Sequence, residues 1–271
     1  MVENQNQNES DELEIAIAES LKIYNEQSNS QEKNIEVPQI TDQTLSHVQK
    51  EQDYYLNQLN LIICHDQQSG TDSCNETLSL FNRIFVWSWN KPKEITHTLQ
   101  DGVYKGICKI LEEYNDTSIM DQNMNIVSEL MTLIIERYTS DSLIPIHIKA
   151  LSLIYNSCSD QQKKLLLLQG VAQIVSMTLK STNIEVIELT TSLIYDIIRW
   201  SLLTYKDQQF YISSSSLRHD DIDKSLFDSV LMRDNVSETT KDQAAISLCW
   251  LFHGIEIPVN MRRAIISRLK S

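Results

Sequence analysis

From about residue 41 onward, apolar residues recur every three or four positions, the spacing of one face of a helix. The segments in order are "DQTLSHVQKEQDYYLNQLNLIIC", "ETLSLFNRIFVWSW", "EITHTLQDGVYKGICKILEEY", "NMNIVSELMTLIIERY" and "LIPIHIKALSLIYNSC". They continue with "SDQQKKLLLLQ", "GVAQIVSMTLKS", "NIEVIELTTSLIYDIIRWSLL", "DDIDKSLFDSVLM", "VSETTKDQAAISLCWLF" and "IPVNMRRAIISRL". Alternating strand-like runs are nearly absent. With 5 Gly and 4 Pro in 271 residues, the chain has too few breakers for a β-rich plan. The pattern predicts an all-α protein with short connectors. Asp141 or Ser142 is placed to cap the helix that begins before Pro145.

Residues 143–154 and 186–203 are apolar around much of the helical circumference. Such helices suit the inner layer of a stacked array, covered on two sides. No strict repeat is visible. "ALSLIYN" (150–156), "TSLIYDI" (191–197) and "AISLCWL" (245–251) nevertheless suggest one degenerate unit recurring at roughly 40–55 residues. Residues 41–271 are therefore expected to form an irregular armadillo/HEAT-like helical solenoid, with a compact all-α domain as the alternative.

The front of the chain differs. Residues 1–10 form a polar Asn/Gln tail, expected to be disordered, and residues 28–40 read as a linker. Between them, "DELEIAIAESLKIYNEQ" (11–27) has the pattern of a separate amphipathic helix. With about 100° per residue, Ile17, Ser20 and Tyr24 fall within roughly 40° of Leu13. The face is narrow, and Ala16 and Ser20 dent it in the middle. A core helix fills its face with larger side chains; a dent suits a surface that approaches closely.

Charge sharpens the division. Residues 1–35 hold eight acids (Glu3, Glu9, Asp11, Glu12, Glu14, Glu19, Glu26, Glu32) against Lys22 and Lys33, a net of −6 out of −14 for the chain. This balance argues against a partner recognised by its phosphate backbone and against an anionic membrane surface. The opening "MVENQNQNES" is polar and acidic, and no run is long and apolar enough to span a bilayer. The five cysteines are odd in number and widely spaced, the pattern of reduced thiols. These features place the expected protein in the cytoplasm or nucleus.

Candidate chemistry is sparse. Cys64, His65 and Cys74 lie close in sequence, but the second ligand pair of a zinc site is missing. His147 sits between Ile146 and Ile148, where a lone histidine is usually a packed one. "DGVYKG" is not a phosphate cradle, and the surroundings of Cys108 offer nothing to lower its thiol pKa. "HDDIDK" (219–224) reads as an acidic helix start rather than a calcium loop. The expectation is no enzyme activity, no cofactor and no metal. Arg262, Arg263, Arg268 and Lys270 give the last helix a positive side. It is either a solvated face or a patch for an acidic peptide or for the chain's own acidic helix.

Residues 11–27 resemble a ubiquitin-interacting motif. The motif is a run of acids, a large apolar residue, then Ala, Ser and a closing acid at fixed spacing. Here Asp11, Glu12, Leu13, Ala16, Ile17, Ser20 and Leu21 fall in register, while the closing acid falls on Ile23, with Glu26 one turn further. The resemblance implies that Leu13, Ala16 and Ile17 press on ubiquitin's apolar patch. It implies also that Ser20 bonds to ubiquitin backbone and that the acids meet its basic rim. Residues 143–253 faintly resemble the PUL domain, an armadillo-like module of ubiquitin-pathway proteins. The pieces that carry this are "IKALSLIYNSC", "IEVIELTTSLIYDII" and "ETTKDQAAISLCWLF". This implies an adaptor of a AAA segregase. The expected function is a non-enzymatic adaptor that reads ubiquitin, or ubiquitinated proteins, with the front helix and holds a second protein on the helical domain. A scaffold whose front helix packs on its own fold is the alternative.

Overall fold

The computed structural model describes residues 42–64, 71–89, 91–113, 123–204 and 221–270. The chain divides into two units, Met1–Gln49 and Lys50–Ser271. Among the described residues it is all-α, and each of the segments above contains a helix. They are α1 (Asp42–Cys64), α2 (Thr71–Ser88), α3 (Lys93–Glu113), α4 (Met124–Arg137), α5 (Pro145–Ser157) and α6 (Asp160–Leu168). Then follow α7 (Val171–Thr178), α8 (Ile184–Thr204), α9 (Ile222–Leu226), α10 (Glu238–Leu251) and α11 (Val259–Leu269). A π-helical turn, Phe227–Leu231, extends α9, closed by the Met232 N–H donating to Phe227 O at 3.0 Å.

Local chemistry sets the helix ends. Pro145 opens α5, where its missing N–H costs nothing. Asn183 Oδ1 accepts from the N–H of Glu185 at 3.0 Å at the start of α8, and Ser237 Oγ accepts from Thr240 N–H at 3.4 Å at the start of α10. Gly170, with φ of 106°, makes the left-handed turn between α6 and α7. The expected cap of α5 is corrected. Neither Asp141 nor Ser142 caps it: Ser142 closes a local turn on Thr139, and Asp141 Oδ1 accepts from Thr182 N–H and Oγ. The N-cap position is Ile144, two residues beyond Ser142 and three beyond Asp141, and His147 takes the role, as described below. Asp221 occupies the N-cap position of α9, but its side chain makes no cap bond and its φ is 55°.

In the unit from Lys50 onward, α3 packs on α5, α5 on α8, α8 on α10, and α10 on α11. A second succession runs α2 on α4, α4 on α7, and α7 on α9. The two meet where α2 touches α3, α7 touches α8, and α9 with its π-turn touches α10. The helices with the fullest apolar circumference, α5 and α8, are each flanked on both sides, which is why their sequences lack a wide polar face.

The glycines of "DGVYKG" serve close packing. Gly102 and Gly106 stand one turn apart on α3. A Cβ on Gly102 would lie 3.0 Å from Leu59 Cδ1, and one on Gly106 only 2.3 Å from Phe81 Cζ. Small side chains here let α1 and α2 approach the α3 backbone.

Candidate functional site

The residues singled out for ubiquitin contact, Asp11, Glu12, Leu13, Ala16, Ile17, Ser20 and Leu21, lie outside the described residues. The chemistry that can be built from the structure lies in the helical unit, in three places.

The first is a polar cluster under the N-terminus of α5. Pro145 fixes the entry of the chain, which puts His147 in the first turn with its ring directed inward, 1% exposed. Nδ1 accepts the backbone N–H of Ile144 at 3.3 Å, so Nε2 carries the proton and donates to Asp101 Oδ1 at 2.9 Å. The Tyr104 and Tyr138 rings meet it edge-on at 4.3 and 4.6 Å, and His97 stacks on Tyr138 at 5.2 Å. Gln100, fully buried, donates from Nε2 to Ser88 Oγ at 3.0 Å and accepts from the Tyr138 hydroxyl at 3.2 Å. Burial pushes both tyrosines above the usual phenol range. Burial also pulls His147 below its ordinary value of 6.5, against the hydrogen bond to Asp101.

This looks like a His–Asp dyad but lacks what a general base needs. Both ring nitrogens of His147 are engaged, so no lone pair faces a substrate. The arrangement joins α3, α5 and the end of α4. Arg137 extends it: its guanidinium donates to the carbonyl of Trp89, to that of Lys91 at 3.3 Å and to Thr96 Oγ1 at 3.5 Å, clamping the α2–α3 turn. "WSWNKPK" is accounted for by the same clamp, with the Trp89 indole donating to Glu129 at 2.6 Å and Trp87 donating to Glu51 at 2.9 Å. Spacing alone hid the cluster, because its members come from positions 88 to 147. The readable signal was a histidine and a tyrosine on otherwise apolar faces.

The second place is an open groove of about 560 Å³ on α10 and α11, lined by Glu238, Asp242, Ile246, Arg268 and Leu269. Arg268 donates to Asp242 at 2.6 Å, to the backbone carbonyl of Glu238 at 2.8 Å and to the Glu238 carboxylate. Arg262 is paired with Glu256. The positive side expected of the last helix is thus partly neutralised from within, while Arg263 and Lys270 remain exposed. Arg268 and Lys241 hold the Glu238 carboxyl below the usual range. The ion pairs at Arg268 are solvent-facing and screened. Arg268→Ala should therefore leave the thermal midpoint nearly unchanged at physiological salt; a clear drop in calorimetry would refute this.

The third place is a shallower hollow of about 270 Å³, lined by Ser140, Gln173, Ser176, Met177 and Lys180. Neither Cys108 nor Cys249 is a poised nucleophile. Burial pushes Cys108 up to about 11 and also raises Cys249. Cys74 is buried, whereas His65 and the side chain of Cys64 lie outside the described residues. Among the described residues, no helix is long and apolar enough to cross a membrane. Comparisons with protein-family models, curated proteins and solved structures find no match for this chain.

Proposed function

We propose that the protein is a non-enzymatic ubiquitin-binding adaptor. Residues 11–27 read ubiquitin, and an armadillo/HEAT-like array of the later helices holds a second protein. The single observation that carries the first half is the register of Leu13, Ala16, Ile17 and Ser20 behind Asp11 and Glu12. The dent at Ala16 and Ser20 suits a partner surface that approaches closely.

The array reading is supported by a shared burial register. Gly106, Ala150, Thr190 and Ala244 are all buried, at spacings of 44, 40 and 54 residues along α3, α5, α8 and α10. The next position, Ile107, Leu151, Thr191 and Ala245, is buried in all four helices, and so is the aliphatic column Ile110, Ile154, Ile194 and Leu248. A repeated layer needs a small side chain where backbones approach and a large aliphatic one turn later, and these columns meet that need. Each helix touches its neighbours in the succession, as stacked repeats do. Such a surface is long and modular, which suits a second protein partner better than a small molecule.

One helix buries little area, so affinity for single ubiquitin should be weak and should rise with linked ubiquitin through avidity. Titration of labelled ubiquitin into the full chain tests the reading. Ala16→Arg with Ser20→Ala should weaken binding at least about tenfold, a loss of ~1.4 kcal/mol, with the helical circular dichroism signal unchanged. Equal binding by both chains, or binding by neither, would remove ubiquitin reading from the proposal.

A further inference from the structure

Most groups in the α5 cluster have fixed roles, but His147 occupies a position where one proton changes the hydrogen bonding. We propose that His147 is a pH-operated latch: protonation of Nδ1 in mild acid unhooks the Ile144 N–H and frees the start of α5 from α3, while α8 and α10 stay folded. The inference is independent of ubiquitin binding.

The geometry makes the two states exclusive. In the closed state Nδ1 is the acceptor for Ile144 N–H at 3.3 Å. A proton taken from solvent onto Nδ1 turns the acceptor into a donor, so two N–H groups then face each other and the contact must break. The other nitrogen cannot absorb the change, because Nε2–H already donates to Asp101. The way in lies beside Ile144, the partner of Nδ1, which is 39% exposed, whereas the His147 ring is 1% exposed.

The surrounding groups set the direction. From α3, the Asp101 carboxylate favours the charged ring, while His97 disfavours it and Tyr104 contributes an apolar ring edge. From the end of α4, Tyr138 lies against it and stacks with His97. On α5 itself, Lys149 is turned outward, its Nζ 2.7 Å from Glu112. Among the described residues, α8 adds no charged group that acts on the ring. Burial outweighs Asp101, so the neutral ring is the native form at neutral pH. The folded value lies below the unfolded one. The stabilisation is therefore complete above about pH 6.5 and is lost as pH falls from there toward the folded value.

What opens is local because the adjoining segment is lightly tied. Apart from the buried Leu143 side chain, residues 139–144 are held by the turn between Thr139 and Ser142 and by the exposed Asp141–Thr182 bonds. Ile144 is itself 39% exposed. Unhooking it disturbs little of the packed core, whereas α8 is covered by α5, α7 and α10.

Amide hydrogen exchange on the full chain, corrected for the intrinsic pH dependence, tests the latch. Between about pH 7.5 and 5.5, exchange at 144–148 should rise roughly tenfold relative to the amides of α8. In His147→Asn, Oδ1 replaces Nδ1 as an acceptor that does not titrate, and the pH effect should vanish. An unchanged ratio in the wild-type chain, or an equal rise in His147→Asn, would overturn the proposal. Should that variant fail to fold, nitrogen NMR of the wild-type ring decides. Protonation of His147 and the shift of the Ile144 amide must share one titration curve, and two separate curves would refute the latch.

Discussion

Alanine at position 106 should destabilise the protein, although alanine is the better helix former. The propensity gain is about 1 kcal/mol. Against it stands a methyl carbon placed 2.3 Å from Phe81 Cζ, with both ε carbons within about 3.1 Å. Phe81 is fully buried, so its ring has no open space to turn into. Overpacking of this kind costs about 1–3 kcal/mol, and the clash is deep enough for the upper part of that range to win. At Gly102 the balance differs: the contact is 3.0 Å to the end of a flexible leucine, and Gly102→Ala should be close to neutral. Phe81→Ala removes the ring and should cost about 3–5 kcal/mol by leaving a cavity. Urea denaturation of Gly106→Ala, Phe81→Leu and the double variant checks the cause. The double variant should cost less than the sum of the singles by at least about 0.5 kcal/mol, because leucine vacates the space that the new methyl needs. Additive costs would mean that the ring and the glycine are not in contact.

Gln100→Leu should produce the second large loss, of about 2–3 kcal/mol. The side chain is fully buried and serves two partners from different elements, Ser88 at the end of α2 and Tyr138 after α4. Ser88 keeps its own bond to the Phe85 carbonyl at 2.8 Å, so it is not abandoned. Tyr138 is 4% exposed, and its hydroxyl would lose its acceptor. The cost is thus the burial of an orphaned hydroxyl rather than the loss of an average hydrogen bond. Tyr138→Phe alone should cost about 1–2 kcal/mol. Added to Gln100→Leu it should cost almost nothing, since the orphan is then gone. If Tyr138→Phe costs the same in both backgrounds, the two groups are not coupled.

The extent of legibility follows from the range of each interaction. Helix positions were readable because a 3.6-residue period and local breakers act within a few residues. Capping of α5 was misread, since the caps suggested by composition, Asp141 and Ser142, lie three and two residues before the N-cap position and bond elsewhere. The repeat unit was half readable. The units quoted above begin at 150, 191 and 245, spacings of 41 and 54, whereas burial runs at 40 and 54. One residue is about 100° on a helix, so an offset of one between letters and burial turns a position away from its counterpart's face. The glycines were recognised as unfit for phosphate, yet their use against Leu59 and Phe81 depends on residues 43 and 25 positions earlier in the chain.

By itself, then, the sequence determined that the chain builds helices and which faces of them are apolar. It also set within residues 11–27 a pattern of acids ahead of a narrow apolar stripe interrupted by Ala16 and Ser20, since each of these depends on neighbours within one or two turns. Only the tertiary structure decided which helices lie side by side, that His147 is a hydrogen-bonded hook with no free lone pair, and that Arg268 faces its own acids. Apart from the local His147–Ile144 bond, the hydrogen bonds behind those outcomes join residues from 26 to 46 positions apart, and only packing brings such groups within bonding distance.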